Sequence, residues 1–383
     1  MALREIRVLV VDDSAVVRSI IADSIAATPD MKVVATAGDG RQVMEILDAV
    51  RPDVITLDIQ MPNMDGLATL DAILARRPIP VIMVSSLTKV GAEITLDALD
   101  RGAVDYLEKP DYGARTRAAL REELPRKIRA AAGLDVERIL QIRRRRKQRR
   151  AEAEKSGDSA SAKAVFERRG ASRPEKADAA SCPPELADKV IAIGISTGGP
   201  PALAELFAAL RPPLPPIVVV QHMPPSFTKP LAWRLDALSP LAIKEAAQGD
   251  PVLPNHALIA PGGKHLQLRR VGQAVKAVVR DGSPVSGHKP SVDVMMQSAA
   301  EVFGSGCLGV IMTGMGRDGA NGCRAIRAAG GYVLGQDEAT SDVYGMNKVA
   351  FVEGHVDRQF ALDEAAAVIM QQVRRLRSGI TAA

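Results

Sequence analysis

Three residues far apart in the chain, Ser196, His222 and Asp318, are of the types that acyl transfer by a hydroxyl nucleophile needs. Ser196 sits in Ile193-Gly194-Ile195-Ser196-Thr197-Gly198-Gly199-Pro200, directly after an apolar run over residues 190–193. A buried strand that breaks into a glycine-rich turn displays one hydroxyl at its end, because glycine permits the sharp change of direction. His222 follows Ile217-Val218-Val219-Val220-Gln221. Asp318 lies in Thr313-Gly314-Met315-Gly316-Arg317-Asp318-Gly319, after the apolar run 308–312. If the three runs are parallel strands, all three side chains arrive at one sheet edge. The histidine would accept the serine proton, and the aspartate would orient the ring and stabilise the imidazolium.

Other readings of the same residues stand beside this one. A glycine-rich strand-to-helix turn is an ordinary connection, and a short motif is a hypothesis until its context agrees. The literal Gly194-Ile195-Ser196-Thr197-Gly198 match does not assign the α/β-hydrolase fold, whose order is Ser…Asp…His where this chain has Ser…His…Asp. His256, His265, His288 and His355 compete for the base, although all lie in hairpin or loop contexts. Gly314-Met315-Gly316-Arg317-Asp318-Gly319 also reads as G-x-G-x-x-G, with Asp337 near the acidic position of a dinucleotide site. That fingerprint normally opens the first strand–helix unit, whereas this one comes late and leaves Ser196 and His222 without a purpose. In the acyl-transfer alternative, the glycines free backbone amides to hold an oxyanion.

A second constellation is acidic. Asp12 and Asp13 close a first apolar run and Asp58 closes a third; Ser86 follows a fourth and Lys109 a fifth. In an open parallel sheet the carboxyl ends of the strands meet along one edge, where ligands bind. Carboxylates crowded there repel one another, and a hard divalent ion with oxygen ligands, magnesium above all, relieves the repulsion. Asp58 could then attack a phosphoryl donor, with the lysine and hydroxyl holding the incoming oxygens.

The positioning elements follow from periodicity. Apolar runs at 6–11, 32–37, 54–57, 80–85 and 103–107 alternate with helical stretches at 15–27, 41–50, 66–76 and 92–101. Short β-branched runs separated by helices predict an α/β domain with a parallel sheet covered on both faces, in the flavodoxin-like doubly wound order. Residues 126–187 are rich in charge, alanine, serine and proline and read as a flexible linker, with a helical start. A second α/β domain is expected over 188–380. Its strands fall at 190–193, 217–221, 308–313 and 332–334 in a largely parallel sheet. Helices are expected at 201–210, 320–329 and 362–377, and a β-hairpin excursion over 256–260 and 266–279.

Bulk properties narrow the classes. With 383 residues, two or three cored domains fit. No apolar run is long enough to span a bilayer, the N-terminus has no secretory pattern, and Cys182, Cys307 and Cys323 show neither metal spacing nor a disulfide framework. A cytoplasmic protein without membrane insertion is expected. The net charge of +5 is local, because Arg143-Arg144-Arg145-Arg146-Lys147-Gln148-Arg149-Arg150 carries seven positive charges and leaves the remainder slightly acidic. The run reads as a solvated linker face or as a contact for an acidic surface. It lacks aromatic neighbours, and no helix-turn-helix with a basic recognition helix follows, so nucleic acid is not an expected partner.

The first 125 residues resemble the receiver domain of two-component response regulators, through Val10-Val11-Asp12-Asp13-Ser14, Leu57-Asp58-Ile59-Gln60-Met61-Pro62-Asn63-Met64-Asp65-Gly66, Ser85-Ser86 and Glu108-Lys109-Pro110. That resemblance, placed over 4–125, implies phosphorylation of Asp58 by a histidine kinase. Asp13, Asp58 and the Gln60 carbonyl would ligate Mg2+, with Asp12 supporting through water. Ser86, Tyr106 and Lys109 would form the switch, and a cis Lys109–Pro110 bond is expected. The second domain resembles the catalytic domain of chemotaxis protein-glutamate methylesterase/protein-glutamine glutaminases, through the Ser196 turn, Val220-Gln221-His222-Met223-Pro224, Ala260-Pro261-Gly262-Gly263-Lys264-His265-Leu266, Pro290-Ser291-Val292-Asp293 and the stretch 312–319. It implies Ser196 as nucleophile, His222 as base and Asp318 as orienting acid, with the Met315 and Thr197 amides as oxyanion hole and no cofactor for the esterase step. Methylated chemoreceptor helices are the implied substrate, with Arg317 and Lys264 as candidate contributors to a basic rim.

Overall fold

The computed structural model describes residues 5–86, 88–110, 114–156, 175–178 and 182–377. The chain divides into two compact units, Met1–Gln141 and Ile142–Ala383.

In the first unit, strands β1 (Ile6–Val11), β2 (Met31–Ala37), β3 (Val54–Asp58), β4 (Val81–Ser85) and β5 (Asp105–Glu108) form one parallel sheet in the order β2-β1-β3-β4-β5. This is the doubly wound order expected from the alternating runs. The connections are helices α1 (Ala15–Ala26), α2 (Gly40–Val50), α3 (Gly66–Arg76) and α4 (Lys89–Arg101), followed by α5 (Ala114–Ala132) and α6 (Val136–Ser156), whose residues from Ile142 onward belong to the second unit. Their starts are chemically encoded. Ser14, Asp39, Asp65 and Thr88 each accept a bond from a first-turn amide, which satisfies a donor the helix leaves open.

The core of this unit does not stop at residue 125. Ile128, Ala131 and Val136 pack into the same cluster as Val8, Val10 and Ile82. The segment expected to be a flexible linker therefore begins with helix: residues 126–132 complete α5 and 136–156 form α6. The helical start expected of this segment is thus present, and it runs through residue 156. Linker residues 157–174 and 179–181 lie outside the described residues. The expected cis bond at Lys109–Pro110 is not found; the cis peptides among the described residues are Pro212–Pro213 and Lys289–Pro290. An X–Pro bond favours trans by about 0.5–1 kcal/mol unless its surroundings decide otherwise.

The second unit is built on a seven-stranded sheet in the order β14-β13-β12-β6-β7-β9-β8, in which every neighbouring pair is parallel. The strands are β6 (Val190–Ile195), β7 (Ile217–Gln221), β8 (Ala242–Glu245), β9 (His256–Ile259), β12 (Cys307–Ile311), β13 (Tyr332–Gln336) and β14 (Arg358–Phe360). Helices α7 (Gly199–Ala209), α8 (Pro225–Leu238), α9 (Val292–Phe303), α10 (Ala320–Ala328), α11 (Met346–Val352) and α12 (Ala365–Arg377) accompany it. The hairpin is β10 (His265–Val271) with β11 (Ala274–Arg280), a separate antiparallel ribbon. Residues 256–259 were expected to belong to that excursion; instead they pair with β7 and β8 in the main sheet. A four-residue apolar run carries no mark of which sheet it joins.

From β6 the chain moves outward through β7, and later returns to the opposite side through β12. The crevice between β6 and β12 is thus the topological switch point, where ligands bind in open parallel sheets. The core that fixes it is tightly filled: Phe207 on α7 is 0% exposed. Phe207→Ala is expected to cost about 3–5 kcal/mol of stability, read as a lower denaturant midpoint with an unchanged slope.

Candidate active site and phosphoacceptor pocket

The turn that carries Ser196 is shaped by close approaches. Gly198 has φ +78°, and a Cβ there would lie 2.7 Å from the Asp342 Cβ. A Cβ on Gly314 would lie 2.8 Å from the Ser196 Cβ, so the 314–319 loop lies against the serine only because it begins with glycine. The Ser196 amide donates to the Thr313 carbonyl at 3.0 Å, and the Ser196 carbonyl accepts from the Gly199 amide and the Gln221 side chain. Ser196 is 9% exposed.

Register then brings the histidine alongside. β6 and β7 pair with Ile195 opposite Gln221, so Ser196 and His222 are the next residues on adjacent strands, and the His222 amide donates to the Ile195 carbonyl at 3.3 Å. Adjacent strands lie about 4.8 Å apart. His222 Nε2 lies 2.8 Å from Asp318 Oδ2, while its Nδ1 has no hydrogen-bond partner.

Asp318 is fully buried and its carboxylate is fully engaged. Oδ1 accepts from Ser291 Oγ (2.8 Å) and the Asp293 amide (3.0 Å), and Oδ2 from the Val292 amide (2.7 Å). Those amides open α9, whose N-terminus favours an anion. Burial pushes the Asp318 carboxyl up, but the His222 bond and the amides outweigh it and hold the group below its ordinary value. Asp293 braces the loop from behind, accepting from the Gly319 and Gly322 amides at 2.9 and 2.8 Å. Burial raises its pKa above the usual carboxylate value.

Thr197 and Met315, the expected oxyanion donors, flank this cluster; among the described residues neither amide donates to a protein acceptor. The rival histidines are committed elsewhere: His256 Nδ1 to Pro254 O, His265 Nε2 to Ser283 O and its Nδ1 to the Ser291 amide, and His355 beside Glu353. His288 instead stacks on His222, with centroids 3.8 Å apart and planes within 2°. Asp337, the acid a dinucleotide site would need, is occupied by Thr340. Arg317 pairs with Glu353 on the surface. Ser291, Asp293, His288 and Gln221 carry structural roles here that the sequence reading did not assign. Ser291 had a signal, since serine before an apolar helical run marks an N-cap; His288 had none.

In the first unit, the strand ends bring the expected acids together. One carboxylate oxygen each from Asp12, Asp13 and Asp58 lies within 4.8 Å of the others. Lys109 Nζ sits 2.7 Å from Asp58, 3.1 Å from Asp12 and 3.8 Å from Asp13. Burial, then the charge of Asp58, pushes Asp12 up to about 6. Burial also raises Asp58 against the pull of Lys109. Asp13, Asp58, Gln60, Ser86 and Lys109 share the lining of one cavity of about 190 Å³. Tyr106 is buried, with Lys127 Nζ donating to its carbonyl at 2.6 Å and lying over its ring.

These two sites lie on a receiver-like α/β domain and on a second α/β domain with a parallel sheet. The CheB methylesterase family matches residues 191–369, and the response regulator receiver domain family matches residues 8–121. The protein-glutamate methylesterase/protein-glutamine glutaminase 2 of Pseudomonas aeruginosa is 42% identical, over 98% of this chain and 99% of its own. The protein-glutamate methylesterase/protein-glutamine glutaminase of Paraburkholderia xenovorans is 43% identical, over 97% of both chains. The chain belongs to the CheB methylesterase family, with a receiver domain ahead of the esterase domain. No helix among the described residues is long and apolar enough to cross a membrane.

Proposed function

We propose that the protein hydrolyses glutamate γ-methyl esters, and deamidates glutamines, on the cytoplasmic helices of chemoreceptors, with Ser196 as nucleophile. The observation that carries this is the 2.8 Å contact of Asp318 with His222 Nε2, which leaves Nδ1 as the ring nitrogen without a partner on the strand beside Ser196. Ser196 Oγ attacks the ester carbonyl and passes its proton to Nδ1. The Met315 and Thr197 amides hold the oxyanion. Collapse breaks the C–O bond, and the imidazolium returns the proton to the departing methanol. Water, deprotonated by the same nitrogen, releases the glutamate and frees the serine. With glutamine, ammonia leaves at the first step. In this arrangement Asp318 binds the ring nitrogen opposite to the one used in the chymotrypsin triad, with the same division of roles.

Asp58 is the phosphoacceptor, with a histidine kinase as donor. The crowded carboxylates fit a hard divalent ion: oxygens of Asp12, Asp13 and Asp58 lie within 4.8 Å of one another, and burial, then the charge of Asp58, pushes Asp12 up to about 6. Asp13, Asp58 and the Gln60 carbonyl would hold Mg2+, with Asp12 behind them, and the ion would offset charge on the transferring phosphoryl group. Lys109 stays bound to Asp58, and Ser86 and Tyr106 report the new charge to the surface of the unit. Phosphorylation raises esterase output, since a switch is covalently joined to a hydrolase.

The test is methanol release from methylated receptor, with and without a small phosphodonor. Release that rises with phosphodonor is expected; absence of release under both conditions refutes the assignment. Two controls follow. Asp58→Asn should take up no phosphoryl group and lose the stimulation while keeping the basal rate. Chelation of divalent ions should do the same to the unsubstituted protein.

A further inference from the structure

The arginine run has a structural use that neither the switch nor the triad absorbs. Within the second unit, residues 142–149 of α6 present a buried face made of Ile142 and Arg146, with Arg143 half-buried beside them. Arg143 donates through Nε and Nη2 to Asp342 Oδ2, at 3.0 and 2.6 Å. Arg146, only 4% exposed, donates to the Thr340 carbonyl at 2.9 Å and to Glu205 Oε1 at 3.1 Å, and lies 3.9 Å from Asp342 Oδ1. Arg144, Arg145 and Lys147 point outward and are exposed. An arginine buried to this degree is held by a fixed set of acceptors; it is not a solvated linker charge.

Those acceptors stand directly behind the catalytic turn. Glu205 is on α7, the helix that starts at Gly199. Asp342 packs against Gly198. The Thr340 carbonyl also accepts from Gln336 Nε2, whose Oε1 accepts from the Thr313 amide, and the Thr313 carbonyl accepts from the Ser196 amide. Val343, the residue after Asp342, accepts from the Gly314 amide and donates to Thr313 Oγ, which lies 2.9 Å from the Thr197 carbonyl. Both amides assigned to the oxyanion site therefore sit one hydrogen-bonded layer from the segment that the arginines hold.

We infer that Arg143 and Arg146 are positioning residues for the esterase: this stretch of α6 latches the Thr340–Val343 segment of the same unit and so fixes the turn that carries Ser196 and its oxyanion amides. The inference rests on the assignment of Ser196. A displacement of one ångström at such a site costs about 100-fold in rate, so partial loosening through an intervening layer should be visible in kcat.

The experiment uses the full chain with methylated receptor and saturating phosphodonor. Arg143→Ala and Arg146→Ala are expected to lower kcat by about 10-fold or more with KM within twofold, and to slow labelling of Ser196 by a serine-directed phosphonate in proportion. Arg143→Lys should recover part of the loss, since it restores one charge opposite Asp342. Arg146→Lys should not, because a lysine cannot reproduce a fork that reaches both Thr340 and Glu205. Asp342→Asn, which keeps the shape, should show the same kcat loss and be non-additive with Arg143→Ala, so the result does not depend on one variant folding. Arg144→Ala, Arg145→Ala and Lys147→Ala should leave kcat unchanged. Full additivity of Asp342→Asn with Arg143→Ala, an unchanged kcat in the latch variants, or a rise in kcat would each overturn the latch. Ser196→Ala run alongside separates the cases: its inactivity beside unaffected latch variants removes only the latch, whereas its retained activity removes the esterase assignment itself.

Discussion

Ser196→Ala is expected to lower kcat for methanol release by about four to six orders of magnitude while Asp58 takes up phosphoryl groups at the unsubstituted rate. The size follows from the proposed roles: without the hydroxyl, His222 and Asp318 have no proton to move, and the oxyanion amides alone give only the residual acceleration that binding and electrostatics provide. The fold should tolerate the change, because Ser196 is tied into the sheet edge through its backbone amide and carbonyl. Phosphorylation survives because Asp12, Asp13, Asp58 and Lys109 belong to the other sheet. Methanol release and phosphoryl incorporation, measured on one preparation, check both halves; a variant with more than a few per cent of the original esterase rate would remove Ser196 from the chemistry.

Asp318→Asn carries the second large effect, about 10⁴-fold in kcat. The carboxylate accepts from Nε2, so the proton of neutral His222 resides there and Nδ1 is left as the base. An asparagine can turn its amide NH2 towards the ring, which moves the proton to Nδ1 and removes the acceptor Ser196 needs. The same substitution also changes the acid response. Asp318 is held below its ordinary value, so its contribution to stability is in place above the unfolded carboxylate pKa, about 3.9, and disappears as pH falls through the lower folded value. The asparagine variant should lack that component, showing less loss of stability on acidification through this range. A kcat for Asp318→Asn within tenfold of the unsubstituted protein would mean that the carboxylate does not set the tautomer.

Most of this site was legible because strand ends are legible. Apolar runs at 190–193, 217–221 and 308–313 announced parallel strands, and a parallel sheet delivers the residues after its strands to one edge. That placed Ser196, His222 and Asp318 at one edge of their sheet, and Asp12, Asp13, Asp58 and Lys109 at one edge of the other. What the sequence hid was contact through space. His288 is 66 positions from the ring on which it stacks, inside a turn with no periodicity. Strands β8 and β14, with four and three residues, are too short to carry a pattern. The helical start of the linker was legible, but the burial of Arg146 was not, because its acceptors come from Thr340 and Glu205, far away in sequence.

The most direct measurement is the site of covalent capture by a serine-directed phosphonate, read by mass spectrometry of the digested full chain. A single adduct on Ser196, formed quickly in the unsubstituted protein and at least a hundredfold more slowly in His222→Ala, is the predicted result. An adduct on another residue, or capture at Ser196 that is indifferent to the loss of the imidazole, would contradict it.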